Sequence, residues 1–209
     1  ERGTEPRDEK QADEKQVDEK QADEKPNTKA EPTTSETENS SPDTETEQKR
    51  TRVSLQDMRI GPDGLDVLSK WDDGDISSVR KKLGGLKVIE SERHYEGSEM
   101  PVYLVEKQEK TLFKIHPSHG KVGSIWVLSP EIEGPNQTRV GLTYAEIVER
   151  VGALHCIRAR GSLAGKVMCN SKEIGNHLQY AFDAAQVDDD IDEPTAKHMK
   201  GLKVQSIRS

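Results

Sequence analysis

Aromatic residues are scarce in this chain of 209 residues: two Trp, four Tyr and two Phe, 4% of the whole. Long apolar runs are missing as well, and no stretch approaches the roughly 20 residues that a membrane-spanning helix needs. Basic charge is in deficit, with 31 Lys and Arg against 39 Asp and Glu and a net charge of −8. A phosphate-binding surface needs a basic face, and no basic run interleaved with aromatics occurs, so nucleic acid is not expected as a partner. The motifs that announce chemistry are absent too: there is no GxSxG elbow, no Walker loop and no HExxH. Gly61-Pro62-Asp63-Gly64 is turn chemistry rather than a phosphate cradle, because no GK[ST] follows it. No catalytic residue, no metal ligand set and no cofactor is therefore expected.

These deficits are unevenly spread. Residues 1–52 contain no Leu, Ile, Met, Phe, Tyr or Trp and hold 16 acids against 10 bases. The triplet DEK recurs from Asp8, Asp13, Asp18 and Asp23 at a spacing of five residues, which matches neither the helical nor the strand period. After Pro26 the composition shifts to Thr, Ser, Glu and Pro. Such a segment buries too little apolar surface to offset its ordering entropy, and it is expected to be a disordered acidic linker. As a flexible coil of about 50 residues it would span on the order of 40 Å. Residues 53–209 are nearly balanced in charge and carry the Val, Ile and Leu for one core, so a single folded domain is expected there.

Two short helices are legible from their punctuation. Asp75 is a good N-cap for Ile76, Val79 and Leu83 at helical spacing, and Gly84 ends the run. Thr143 and Glu146 form a capping box before Tyr144, Ile147, Val148 and Val151, and Gly152 stops that helix. Three strand-like runs follow each helix. The first set covers 101–107, 110–116 and 121–128; the second covers 166–170, 177–182 and 203–207. Lys121-Val-Gly-Ser-Ile125 is echoed by Lys203-Val-Gln-Ser-Ile207, with an acidic insert between Asp183 and Gly201. The expected fold is thus mainly β with two short helices, in the α+β class. It would be built as two helix-plus-antiparallel-meander repeats, about 53–132 and 133–209, packed as one sandwich-like domain.

Few residues are candidates for chemistry. Cys156 and Cys169 lie on either side of a bend containing Gly161 and Gly165. Oxidised, they would close a short loop and indicate an oxidising compartment. Reduced, they would be two buried thiols of a cytosolic protein. Zinc lacks a second ligand pair. His116-Pro-Ser-His119 reads as a polar hairpin tip, lacking a third metal ligand. Asp188–Asp190 with Asp192 and Glu193 lacks the alternating ligands and central Gly of a calcium loop, and reads as a solvated, mobile loop. His177, Tyr180 and Phe182 form an H-x-x-Y-x-F cluster in which His177 could serve a ligand site or act as a base. Trp126, in a strand, could face outward and suit a protein contact.

Several of these residues carry a resemblance. Gly120–Leu128 reads G-x-V-x-x-I-x-V-L; Gly141 precedes the second helix; the cysteine pair, the H-x-x-Y-x-F strand and Lys203, Val204 and Ile207 follow. In these the chain resembles the sigma-E-regulated lipoprotein family of Gram-negative bacteria, over about 90 residues of its second half. The resemblance implies a mainly-β domain exported to the periplasm and held at the outer membrane by a lipid anchor preceding Glu1. The acidic tail would then be its spacer. It departs from the family in its DEK-repeat tail, in lacking Pro-Gly after Cys169, and in showing no lipobox cysteine. The family offers no catalytic residues. The functional expectation is a non-enzymatic, tethered envelope protein with an envelope partner, bound through strand edges or loops. The alternative is a small-ligand-binding or hydrolytic protein with a cleft near His177.

Overall fold

Asp75 and Thr143 act as the caps that their sequence contexts predict. The computed structural model describes residues 53–55, 58–95, 97–175 and 177–209; the tail at 1–52 lies outside the described residues. The Asp75 carboxylate accepts from the backbone N–H groups of Ser77 and Ser78, starting α1 (Ile76–Lys82). Arg80, Lys81 and Lys82 sit in its last turn, where cations complement the helix dipole. Thr143 and Glu146 exchange both bonds of the capping box at the start of α2 (Tyr144–Val151). Gly152 ends α2 at φ +73°, a left-handed value that glycine adopts without a Cβ penalty. Tyr144, Ile147 and Val151 form the buried face of α2, as the three-to-four spacing requires.

The strands are more numerous than the six expected. Ahead of α1, three two-residue strands make a small antiparallel sheet: β1 (Ile60–Gly61), β2 (Gly64–Leu65) and β3 (Leu68–Ser69). Four strands, not three, then follow each helix. After α1 come β4 (Lys87–Tyr95), β5 (Ser98–Lys107), β6 (Lys110–Ser118) and β7 (Lys121–Val127). After α2 come β8 (Leu154–Arg158), β9 (Lys166–Ser171), β10 (Gln179–Asp183) and β11 (Val204–Arg208). Besides the three strands of the small sheet, the expected set lacked β4 and β8, the edges of the large sheet, and both carry mostly polar or exposed side chains that hide the strand pattern.

The eight strands pair in the order β4-β5-β6-β7-β11-β10-β9-β8, all antiparallel. Each helix therefore precedes a four-strand meander, and the meanders join edge to edge at β7 and β11. They hydrogen-bond into one continuous eight-stranded sheet, because β11 lies beside β7, with Ile207 opposite Val127 and Arg208 opposite Trp126. Backbone bonds between Ser209 and Ile125 extend the seam.

One face of this sheet carries the main core. Val105, Phe113, Val127, Ile207 and Tyr180 line it, and Val79, Leu83, Ile147 and Val151 cover it from the helices. Leu65 and Leu68 of the small sheet join the same cluster. The Tyr103 hydroxyl donates to the Gly74 carbonyl at 3.0 Å, fastening β5 to the loop before α1. The acidic insert is not a free loop. The Arg158 guanidinium reaches into it and donates to the Asp188 carbonyl at 2.6 Å and the Asp189 carboxylate at 3.2 Å. Arg160 pairs with Asp192 at 2.9 Å. The acids are solvated, as expected, but the bases that anchor the segment lie some thirty residues upstream, so the acidic run alone does not reveal the anchoring.

Candidate functional site

Consecutive apolar residues in a strand must face opposite sides of its sheet. β5 contains Val102-Tyr103-Leu104-Val105, and β7 ends in Ile125-Trp126-Val127, with Leu128 just after it. Tyr103, Val105, Ile125 and Val127 enter the main core. Val102, Leu104, Trp126 and Leu128 face the other way and line a separate concavity. Cross-strand register sets the companions of Trp126: Lys114 on β6 and Arg208 on β11 lie directly opposite it. Ser206, two residues before Arg208, shares its face and pairs with Ala181, which pairs with Met168. Trp126, Met168 and Ala181 make a second, smaller apolar cluster with Leu163 packed on it.

The sheet curls until its two ends approach across this face. Arg93 on β4 donates to the Ser162 carbonyl at 3.3 Å, in the turn between β8 and β9. The result is a trough with Trp126 in its floor, holding a cavity of about 460 Å³. A second cavity of about 310 Å³ adjoins it and shares Arg93, His116, Trp126 and Leu163 with it. These volumes fall in the range of small-molecule sites.

The trough is basic. Lys114, Lys166, His116 and Arg93 line the larger cavity and Arg208 the smaller, with Glu92 the one acid among the lining residues. The Arg208 guanidinium lies over the Trp126 ring at 5.2 Å and donates to the Gln179 side-chain carbonyl at 3.4 Å. Lys114, Lys166 and Arg208 have no ion-pair partner among the described residues. Burial, reinforced by Arg93, lowers the proton affinity of Arg208. His116 meets Trp126 edge-on, with ring centroids 6.0 Å apart. Its pKa is pushed down to about 4, first by burial and then by Arg93, Arg208 and Lys114. His116 is accordingly neutral at pH 7. Ser206 is 2% exposed, and its buried hydroxyl has no hydrogen-bond partner among the described residues.

The residues singled out in the sequence do not converge. Cys156 and Cys169 are directly opposite one another on β8 and β9 and form a disulfide across thirteen positions. It lies on the core face and is buried. Tyr180 is fully buried on that same face, its hydroxyl 3.2 Å from that of Thr138. His177 is exposed in the turn before β10 and does not line the trough. The two adjoining cavities are organised around Trp126, and His177 belongs to neither. Trp126 faces away from the main core, as expected of a contact residue, but it is 8% exposed and forms a floor, not a protruding knob. His116 is corrected as well. The turn is the pair His119-Gly120, both at positive φ, so β6 runs on to Ser118 and carries His116 into the trough. Gly123, at φ +72°, lets β7 bulge there; a Cβ on it would lie 2.4 Å from the His116 carbonyl oxygen.

The signal that would have revealed the trough was present as unbroken apolar runs. Four consecutive apolar residues at 102–105 and again at 125–128 mean a strand covered on both faces. The basic residues gave no such signal, because each is separated from the others in the chain and charge is near balance over the domain.

No protein-family model and no curated protein matches the chain. Among solved structures, the crystal structure of the uncharacterized protein yfeY from Escherichia coli is similar, with a TM-score of 0.56 at 18% sequence identity. The match covers 72% of this chain and 97% of that one. The likeness is one of fold.

Proposed function

We propose that this chain is a non-enzymatic binding module of the bacterial envelope, tethered through its acidic tail, which captures another envelope component in the trough. The observation that carries the reading is the trough itself: a preformed concavity floored by Trp126 and flanked by Lys114 and Arg208, on a face the helices leave uncovered. Rigid aromatic and Arg anchors in a concave site are what binding surfaces use, and a continuous sheet holds them without a moving part. The reading includes the sigma-E-regulated lipoprotein resemblance, with export to the periplasm and a lipid anchor preceding Glu1. Support for an oxidising compartment comes from the Cys156–Cys169 disulfide, since such bonds persist outside reducing cytosol. Within this reading the two helix-plus-meander halves are copies of one duplicated unit. Their matching order of elements and the mirror-like strand order about the β7–β11 seam favour that origin.

Site-specific photo-cross-linking in intact cells tests the proposal. A photoreactive residue at Leu104, inside the trough, should trap one recurrent envelope component. The same group at Lys81, on the exposed side of α1, should not. An empty trough position across growth conditions, or equal labelling from both positions, would sink the reading.

A further inference from the structure

The trough joins two chemistries on one surface: an apolar floor, and three cations, Lys114, Lys166 and Arg208, with no ion-pair partner among the described residues. From the geometry we infer that it is a binding site for an anionic amphiphile, a single apolar chain ending in a carboxylate or phosphate. This deepens the envelope-binding proposal and rests on it for the choice of surface.

Three observations argue for that class. First, the floor is apolar and spans side chains from several strands. Val102, Leu104, Leu128, Trp126 and Leu163 line one continuous cavity, which suits a chain lying along the sheet better than a compact polar solute. Second, charge complementarity selects the sign. Lys114 and Arg208 flank Trp126 on either side, with Arg93 at the closing edge and Lys166 beyond it, against the single acid Glu92. Arg208 and Arg93 oppose each other's charge. Like charges gathered over a partly buried, low-dielectric floor repel, and a bound anion would convert that repulsion into charge-assisted hydrogen bonds. Third, the buried hydroxyl of Ser206, which lines the cavity, lacks a partner among the described residues. A buried polar group is normally hydrogen-bonded, so an unmatched hydroxyl on a lining residue is a group that a ligand's polar atom could satisfy. The Arg208 guanidinium, half-buried over Trp126, is held by its stack at the edge of the floor, where a head group would meet it.

The test uses the whole chain carrying Trp71→Phe. Trp71 is 68% exposed and lies outside the trough, so Trp126 becomes the sole tryptophan. Decanoate, decyl phosphate, decanol and decyltrimethylammonium are titrated below their aggregation concentrations while Trp126 emission and the His116 ring proton shifts are followed. Saturable binding is expected for decanoate, decyl phosphate or both, about tenfold tighter than for decanol and tighter still than for the cation. The preferred head group separates a fatty-acid-like source from a phosphorylated one. A bound anion should also raise the His116 titration midpoint, which a neutral chain in the same cavity would not do. Lys114→Gln, at a half-exposed position, should weaken the anions about fivefold while leaving decanol unchanged; Arg208→Gln should do the same if its thermal transition is intact. Equal affinity for the cationic amphiphile, indifference to Lys114→Gln, or no saturable change at all overturns the inference. If the titrations fail while the Leu104 cross-link succeeds, the ligand class is wrong and the binding surface stands; if both fail, both fall.

Discussion

His116 and the Cys156–Cys169 pair show how a single position takes its properties from its surroundings. Burial beside three cations holds the His116 pKa at about 4, below its ordinary 6.5. Because the folded-state value is depressed, the unfolded chain binds the extra proton more readily, and protonation favours unfolding. His116 therefore costs no stability at neutral pH. Its penalty should grow as pH falls from about 6.5 to about 4 and level off below that. His116→Gln should flatten the pH dependence of urea-unfolding free energy across this window, and an NMR titration of the wild-type ring should show the low midpoint directly. The disulfide acts on the unfolded chain instead. Closing a loop of thirteen positions removes denatured-state freedom worth about 3 kcal/mol. The double variant Cys156→Ser/Cys169→Ser should lose about that much in urea unfolding, and wild-type protein in reductant should lose the same. The cysteine identities suggested this bond, but with one pair there is no internal check on pairing. Their placement opposite one another on neighbouring strands supplies it.

Among the elements, the hairpin between β5 and β6 departs from turn preference. Lys107 pairs with Lys110, leaving Gln108 and Glu109 as a two-residue loop with φ of 49° and 63°. Both residues adopt the left-handed conformation of a type I′ turn, which favours Asn-Gly, and each non-glycine residue there is strained by about 1 kcal/mol. Gln108→Asn/Glu109→Gly should thus raise stability by about 1 kcal/mol, read as a higher urea midpoint with an unchanged slope. The sequence marked this hairpin by position, with polar residues between two apolar runs, though not by turn residues. The helices were legible to within a residue, because a cap is a contact between neighbours three positions apart. β4 and β8 were not, since edge strands owe their existence to partners that no local pattern reveals.

For the molecule as a whole, the central fact is that the two halves share one core. Side chains from α1, α2, both meanders and the small sheet belong to a single buried cluster. The seam between the meanders is narrow in backbone terms, with β7 and β11 paired at Val127–Ile207 and Trp126–Arg208. It is the shared apolar core that should couple them. Unfolding should then be one cooperative transition, with far-UV circular dichroism and Trp126 fluorescence of the Trp71→Phe variant superimposing. Two separable transitions would mean that the halves are independent. The trough also belongs to this scale. It needs β4 and the β8–β9 turn brought together by Arg93 and Ser162, which are 69 positions apart.

The amino-acid sequence by itself determined what neighbours can decide. It set two capped helices, the strands with a strong apolar pattern, the glycine-bearing turns and an oxidisable cysteine pair in a mainly-β domain. Tertiary structure alone decided that Trp126 and Tyr180 face opposite sides of one sheet, that His177 stands apart, and that scattered cations meet over an apolar floor. The reason is physical. Caps and turns draw their energy from groups a few residues apart, whereas a concave face exists only once distant strands have paired and the sheet has curled.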